Sequence, residues 1–187
     1  MERLTGTERI EDLDDTLAAV DRVADTTDCT VQGFDARYVA DETHLRRALT
    51  LADRAFDRGE NVARDRGVEV LLYAAGRRQI DRALEMGLSE GETPVVYLVA
   101  ARGTDEDADG STDRDDGTAD EDDGTAEREH EAVRRLRERS SFTPGEVTPD
   151  SDRLRSFFDV SDRELAATDG TLAAVVHERV ALLDVEK

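Results

Sequence analysis

The stretch VEVLLYAAGRRQIDRAL, Val68–Leu84, decides how the rest of the chain is read. Its opening run, Val68–Ala74, is short, apolar except for Glu69 and closed by Gly76, the pattern of an interior strand. Past Gly76 the spacing predicts a helix with Ile80, Ala83 and Leu84 inward and Gly87 at its C′ position. Arg77, Arg78 and Gln79 then stand in its first turn. Two cations there oppose the positive end of the helix macrodipole, at a cost of a few tenths to roughly 1 kcal/mol unless an anion completes the arrangement. Backbone N–H groups, the macrodipole and the two forked guanidinium groups would together hold a phosphate. Gln79 could reach a base edge or a ribose hydroxyl, and Ile80 offers an apolar surface to a base. The alternative is an ordinary exposed turn whose arginines pair with the surrounding carboxylates.

Outward from that block the punctuation is regular. Leu4–Thr7 suits a first short strand, and Leu13, Leu17, Val20 and Ala24 recur at helical spacing. CTVQGFDA, from Cys29, reads as a second strand with Val31 inside. Asp41 is a helix N-cap, followed by an apolar face of Leu45, Ala48, Leu49, Ala52 and Phe56 that ends at Gly59. Pro94 opens TPVVYLVAA, a strongly apolar strand. Thr104–Ala126 has one basic residue, no apolar periodicity and scattered glycine, so it is expected to be a disordered acidic insertion. Helical spacing resumes at Val133 and Leu136. Val160, Ser161, Glu164 and Leu165 form a capping box with a hydrophobic staple. Leu172, Val175, Val176, Arg179, Val180 and Leu183 then line one side of a final helix. Together these elements predict a single α+β domain over residues 1–187, with a small mixed central sheet of about four strands flanked by helices.

The charge is lopsided: 46 acidic against 25 basic residues, a formal net charge of -21, with Lys187 the only lysine. That balance reads as adaptation to concentrated salt, as in a halophilic archaeon, where the Debye length falls to about 3 Å and an acidic skin keeps the chain hydrated. Acidity of this origin does not exclude a nucleic-acid partner. Cys29 is alone, so an intrachain disulfide is ruled out and a cytoplasmic location is favoured. The amino-terminal residues lack a basic region followed by an apolar run, and no membrane-length apolar stretch occurs, so a soluble protein is expected.

Chemistry-bearing residues are sparse. His44, His130 and His177 fall in separate helical segments without metal-ligand spacing and are read as solvated surface residues. Cys29 opens an apolar strand and is read as buried packing. There is no G-x-G-x-x-G and no phosphate-loop lysine, and with so many carboxylates no acid/base pair stands out. The expectation is therefore no catalytic residue, no metal site and no cofactor, with an anion-binding turn at Gly76 as the candidate site.

Three blocks carry a family resemblance: VEVLLYAAGRRQIDRAL, the DRGENVARDRG before it, and the HERVALLDVEK that ends the chain. They resemble the small regulatory subunit of the KEOPS complex, the PRPK-binding-protein (TPRKB) family, over about Val31–Val99 and from Glu127 onward. The resemblance implies a non-catalytic member of a tRNA-modifying assembly that installs threonylcarbamoyladenosine next to the anticodon. It implies a kinase-like ATPase subunit as direct partner and, through it, the threonylcarbamoyl-transferase subunit. It further implies that the single-stranded 3′ CCA end of tRNA is held by the GRRQI block, Gly76, Arg77, Arg78, Gln79 and Ile80, with Arg64 as an added contact. The same resemblance makes Val176, Arg179, Val180 and Leu183 the candidate kinase-docking face, although that stripe could equally close the domain's own core. A small α/β enzyme or sensor that binds a phosphorylated metabolite at the Gly76 turn is the competing reading.

Overall fold

Residues 1–102, 123–167 and 170–185 are described in the computed structural model. A four-stranded sheet, ordered β2-β3-β1-β4, is built from β1 (Glu2–Ile10), β2 (Cys29–Asp35), β3 (Gly91–Ala101) and β4 (Phe142–Pro144). The α+β class holds, and the sheet, expected as mixed, pairs antiparallel throughout. The helices are α1 (Leu13–Thr27), α2 (Glu42–Asp57), α3 (Arg66–Ala74), α4 (Ile80–Ala83), α5 (Asp123–Arg137), α6 (Ser151–Phe157), α7 (Asp162–Ala167) and α8 (Leu172–Val185).

β3 is apolar on both faces because both faces are covered. Val96, Leu98 and Ala100 enter a core shared with α2, α3, α6 and α8, and Val95, Tyr97 and Val99 enter a second core with Val20 of α1, Ala132 and Leu136 of α5 and Phe142. Each fully buried Val or Leu contributes about 1.5–3 kcal/mol. β1 alternates as a strand should, with Leu4, Gly6, Glu8 and Ile10 buried. Glu8 is a charged residue on the core side, and it is matched there: Arg139 lies 2.7 Å away, Ser141 donates at 2.8 Å and the Tyr97 hydroxyl also donates to it. Such a carboxylate is tolerated because both of its oxygens have partners.

Two corrections change the picture of the chain. Val68–Ala74, expected as an interior strand, is the body of helix α3. Asp65 caps it, accepting from the Val68 N–H at 2.9 Å, and Gly67 and Glu69–Ala74 are all buried. A helix enclosed on all sides shows no polar stripe, so its sequence looks like that of an enclosed strand. The place of the lost strand is taken by β4, which pairs with β1 through Gly6–Pro144, Thr7–Thr143 and Glu8–Phe142. Gly6 makes this approach possible, because a Cβ there would sit 2.3 Å from the Thr143 carbonyl oxygen.

The histidines also depart from expectation. His130 is exposed and faces Glu2 at 2.6 Å. His44, read as a surface residue, is fully buried: its Nδ1 accepts from the Ala40 N–H at 3.2 Å, and its Nε2 lies 2.8 Å from the Ala74 carbonyl. It thereby ties the start of α2 to the last residue of α3. Burial pushes its pKa down to about 4, against the pull of the Ala74 carbonyl. His177, also expected to be solvated, is largely covered and meets Asp41, the α2 N-cap, at 2.8 Å.

Other expectations stand where punctuation was clear. Asp41 caps α2, accepting from the His44 N–H at 2.8 Å, and Gly59 follows its end at a φ of 65°. The Ser161 hydroxyl accepts from the Glu164 N–H at 3.2 Å, and Val160 and Leu165 pack against the larger core. Cys29 is buried, and desolvation raises its thiol pKa. Of the residues at helical spacing in α1, Leu17 is 42% exposed; Thr16, Val20, Ala24 and Thr27 form its buried side. Of the stretch expected as an insertion, Asp123–Ala126 form the first turn of α5, and 104–122 lie outside the described residues. Among the described residues no helix is long and apolar enough to cross a membrane.

Candidate nucleic-acid interface

The helix at Val68 reverses the electrostatics of the turn that follows it. Gly76 has a φ of 59°, the Gly76 N–H reaches the Tyr73 carbonyl at 2.9 Å and the Arg77 N–H reaches that of Leu72 at 3.1 Å. These two bonds are a Schellman ending, with glycine at the left-handed position where a side chain would be strained. Arg77 and Arg78 therefore follow the negative end of α3, where cations are favoured by about 0.3–1 kcal/mol. The expected cost of placing them at a helix start does not exist. Gln79 is the N-cap of α4, without a side-chain capping bond, and that four-residue helix is too short to supply an appreciable macrodipole.

Both guanidinium groups reach carbonyls at other helix ends. Arg77 donates to the Phe157 carbonyl, lies 5.0 Å above the Phe157 ring and stands 3.5 Å from the Asp159 carboxylate. Asp159 occupies the left-handed position after α6, with a φ of 53°. Arg78 donates to the Leu183 carbonyl near the end of α8 at 3.2 Å. The turn is nonetheless open: Arg77 is half-buried, Arg78 and Gln79 are exposed, and Ile80 is 42% exposed. Leu84, four residues on, is 54% exposed and extends the apolar surface that Ile80 begins.

Beside the turn lies a cavity of about 380 Å³ lined by Tyr38, Arg77, Arg82, Arg153, Phe157 and Asp159, together with Glu85 and Ser156. Arg153 sits 5.7 Å over the Tyr38 ring, and Tyr38 meets Phe157 edge to face at 5.2 Å. Arg82 pairs loosely with Glu85 at 3.7 Å. Three guanidinium groups and two aromatic rings thus converge, beside the carboxylates of Asp159 and Glu85 and with Asp150 3.5 Å from Arg153, in a chain of net charge -21. This combination can hold a phosphate by forked donors and a base by stacking. Tyr38, Arg82, Arg153 and Phe157 were not candidates from sequence. They come from segments on either side of the GRRQI block, and nothing in their local spacing joins them.

The remaining candidates divide. Arg78 and Arg77 also line a narrow groove with Val62 and Leu183. Arg64 is exposed on the loop just before α3, whose Val62 and Ala63 N–H groups are fixed by the buried Glu69 carboxylate at 3.0 and 2.7 Å. It lines neither hollow. In α8, Val176 and Val180 are fully buried and Leu183 is 8% exposed. Val176 and Leu183 belong to the larger core, so the stripe expected as a docking face closes this chain's own interior. Arg179 is partly exposed and donates to Glu164 at 2.8 Å.

The family model for the kinase binding protein CGI-121 matches residues 8–184. The chain belongs to the CGI-121 family. The match begins within β1, at Glu8, and ends one residue short of the end of α8, so the arginine turn, the cavity beside it and nearly all of the final helix lie within the family's common domain. A search of curated proteins found no match. Membership makes kinase binding the family-level role. Among the described residues no three His, Cys, Asp or Glu side chains are grouped to hold a metal ion.

Proposed function

We propose that this CGI-121 family member is a non-catalytic, cytoplasmic subunit of a KEOPS-type assembly. It binds the kinase-like ATPase subunit and, at the turn after α3, the 3′ CCA end of the tRNA whose adenosine next to the anticodon becomes threonylcarbamoyladenosine. The observation that carries the RNA part is the convergence of Arg77, Arg82 and Arg153 with Tyr38 and Phe157 around one cavity, in a chain of net charge -21. Arg78, Gln79, Ile80 and Arg64 lie outside that cavity and serve as the approach for the nucleotides preceding the terminal one. The core position of Val176, Val180 and Leu183 leaves the kinase contact to exposed faces of the domain.

Salt decides which contacts must dominate. Phosphate neutralisation on a single strand loses about 0.7 log units of affinity per contact for each decade of salt. In concentrated salt stacking carries the larger share, at about 1–3 kcal/mol per base. A mobility-shift titration with intact tRNA and with tRNA trimmed of its CCA end tests the reading: the shift should disappear on trimming. Undiminished binding of trimmed tRNA contradicts it. Protection of the chain by a sugar phosphate or free nucleotide, with no response to tRNA, would instead support a phosphorylated-metabolite sensor.

A further inference from the structure

The sheet has two edges of different kinds. β4 has three residues, whereas β2 has seven and pairs only with β3. The Arg102 N–H donates to the Asp28 carbonyl at 3.1 Å, so Asp28 and Arg102 form a bonded pair. By alternation along the ladder Thr30, Gln32 and Phe34 turn their backbone groups to β3, and Val31 and Gly33 turn theirs outward. The Gln32 side-chain amide reaches across to the Gly33 carbonyl at 2.8 Å. A groove of about 450 Å³ runs along this edge, between α1 and the first turn of α3. Leu17, Val20, Val31, Val68 and Leu88 supply its apolar lining, and Asp21, Asp25 and Asp65 give it an acidic character. Arg102 is the one cation lining it among the described residues, and it lies 3.9 Å from Asp25.

We propose that this groove receives an extended, basic segment of a partner protein as an added strand on β2. The outward N–H and C=O of the half-buried Val31 supply main-chain pairing beside the buried Gly33, whose carbonyl the Gln32 amide holds, and the apolar lining takes alternate side chains of the incoming strand. The three aspartates select the sign of the residues between them. A second copy of this chain fits less well, because edge-to-edge pairing would bring two acidic grooves together in molecules of net charge -21. The proposal draws nothing from the arginine cavity and stands apart from the RNA reading.

The test uses the full chain, ¹⁵N-labelled, titrated with a peptide alternating valine and arginine and with its valine and glutamate counterpart. The arginine peptide should bind at least about tenfold more tightly and shift the Val31 and Gly33 amide signals. Val31→Pro removes an outward donor without touching the β3 ladder and should abolish binding. Asp21→Lys with Asp25→Lys, both on the exposed side of α1, should erase the preference between the peptides. Equal affinity for the two peptides, no binding of either, binding that leaves Val31 and Gly33 unmoved, or dimerisation through this edge would each overturn the proposal.

Discussion

Two segments of this chain are close to anagrams. VEVLLYAA, Val68–Ala75, and PVVYLVAA, Pro94–Ala101, share valine, leucine, tyrosine and paired alanines, yet the first lies in helix α3 and its cap and the second in the central strand β3. Apolarity does not separate them. Flanking residues do: Asp65 caps the first at its start and left-handed Gly76 closes it, whereas Pro94 opens the second where a helix cap is lacking. Pro94 lies one residue beyond the last pair with β2, Asp35–Val95, so its missing N–H costs the ladder nothing on that side. The lesson is electrostatic as well as topological, because the state of the first segment fixes whether Arg77 and Arg78 stand at a positive or a negative helix end.

Glu69 gives the largest handle on that difference. As the odd charge in a buried strand it would be a liability, and Glu69→Val would stabilise the fold. As observed, its carboxylate accepts from the buried Ala63 N–H and from the part-buried Val62 N–H, so Glu69→Val strands one buried donor and leaves the other to water, and should cost about 3 kcal/mol. Denaturant unfolding of the two proteins measures it, and an unchanged or raised midpoint would break the helical account of this segment.

An effect confined to acid pH comes from His44, whose ring is bonded to the end of the same helix. Burial holds it neutral to about pH 4, whereas the unfolded chain takes up that proton near pH 6.5. Between those values the unfolded state binds more protons, so stability is complete above about pH 6.5 and drains as pH falls, by about 3 kcal/mol near pH 4. The measurement is unfolding of the wild type and His44→Gln from pH 7 to 4. The variant should lose this part of the slope; parallel curves would place His44 in water.

The legible parts of the fold were those with local signals. Asp41 with Gly59, and Val160 through Leu165, marked helix ends by hydrogen bonds made within a few residues, and β3 announced itself by length and valine content. α3 is obscured because burial on every side removes its periodicity and leaves its start marked by Asp65 alone. β4 was illegible because its three residues carry one buried side chain, and its pairing depends on Gly6, more than 130 residues away in sequence. At the candidate site, the arginines and glycine of GRRQI stand out in the sequence, but the positive helix end they suggest is the negative end of α3. The cavity drew Tyr38 and Arg153 from distant segments, an arrangement that only the folded chain contains.

The claim on which the functional account turns is that the cavity between Tyr38, Arg77 and Arg153 receives an RNA terminus. Its most direct test is a binding titration of the full chain and of Arg153→Ala with a short RNA ending in single-stranded CCA, at fixed salt, alongside the same RNA without that end. Loss of one charged, stacking contact should weaken the CCA-ended RNA by about tenfold or more and leave the blunt RNA and the unfolding midpoint unchanged. Equal affinity of wild type and variant for the CCA-ended RNA would contradict the assignment.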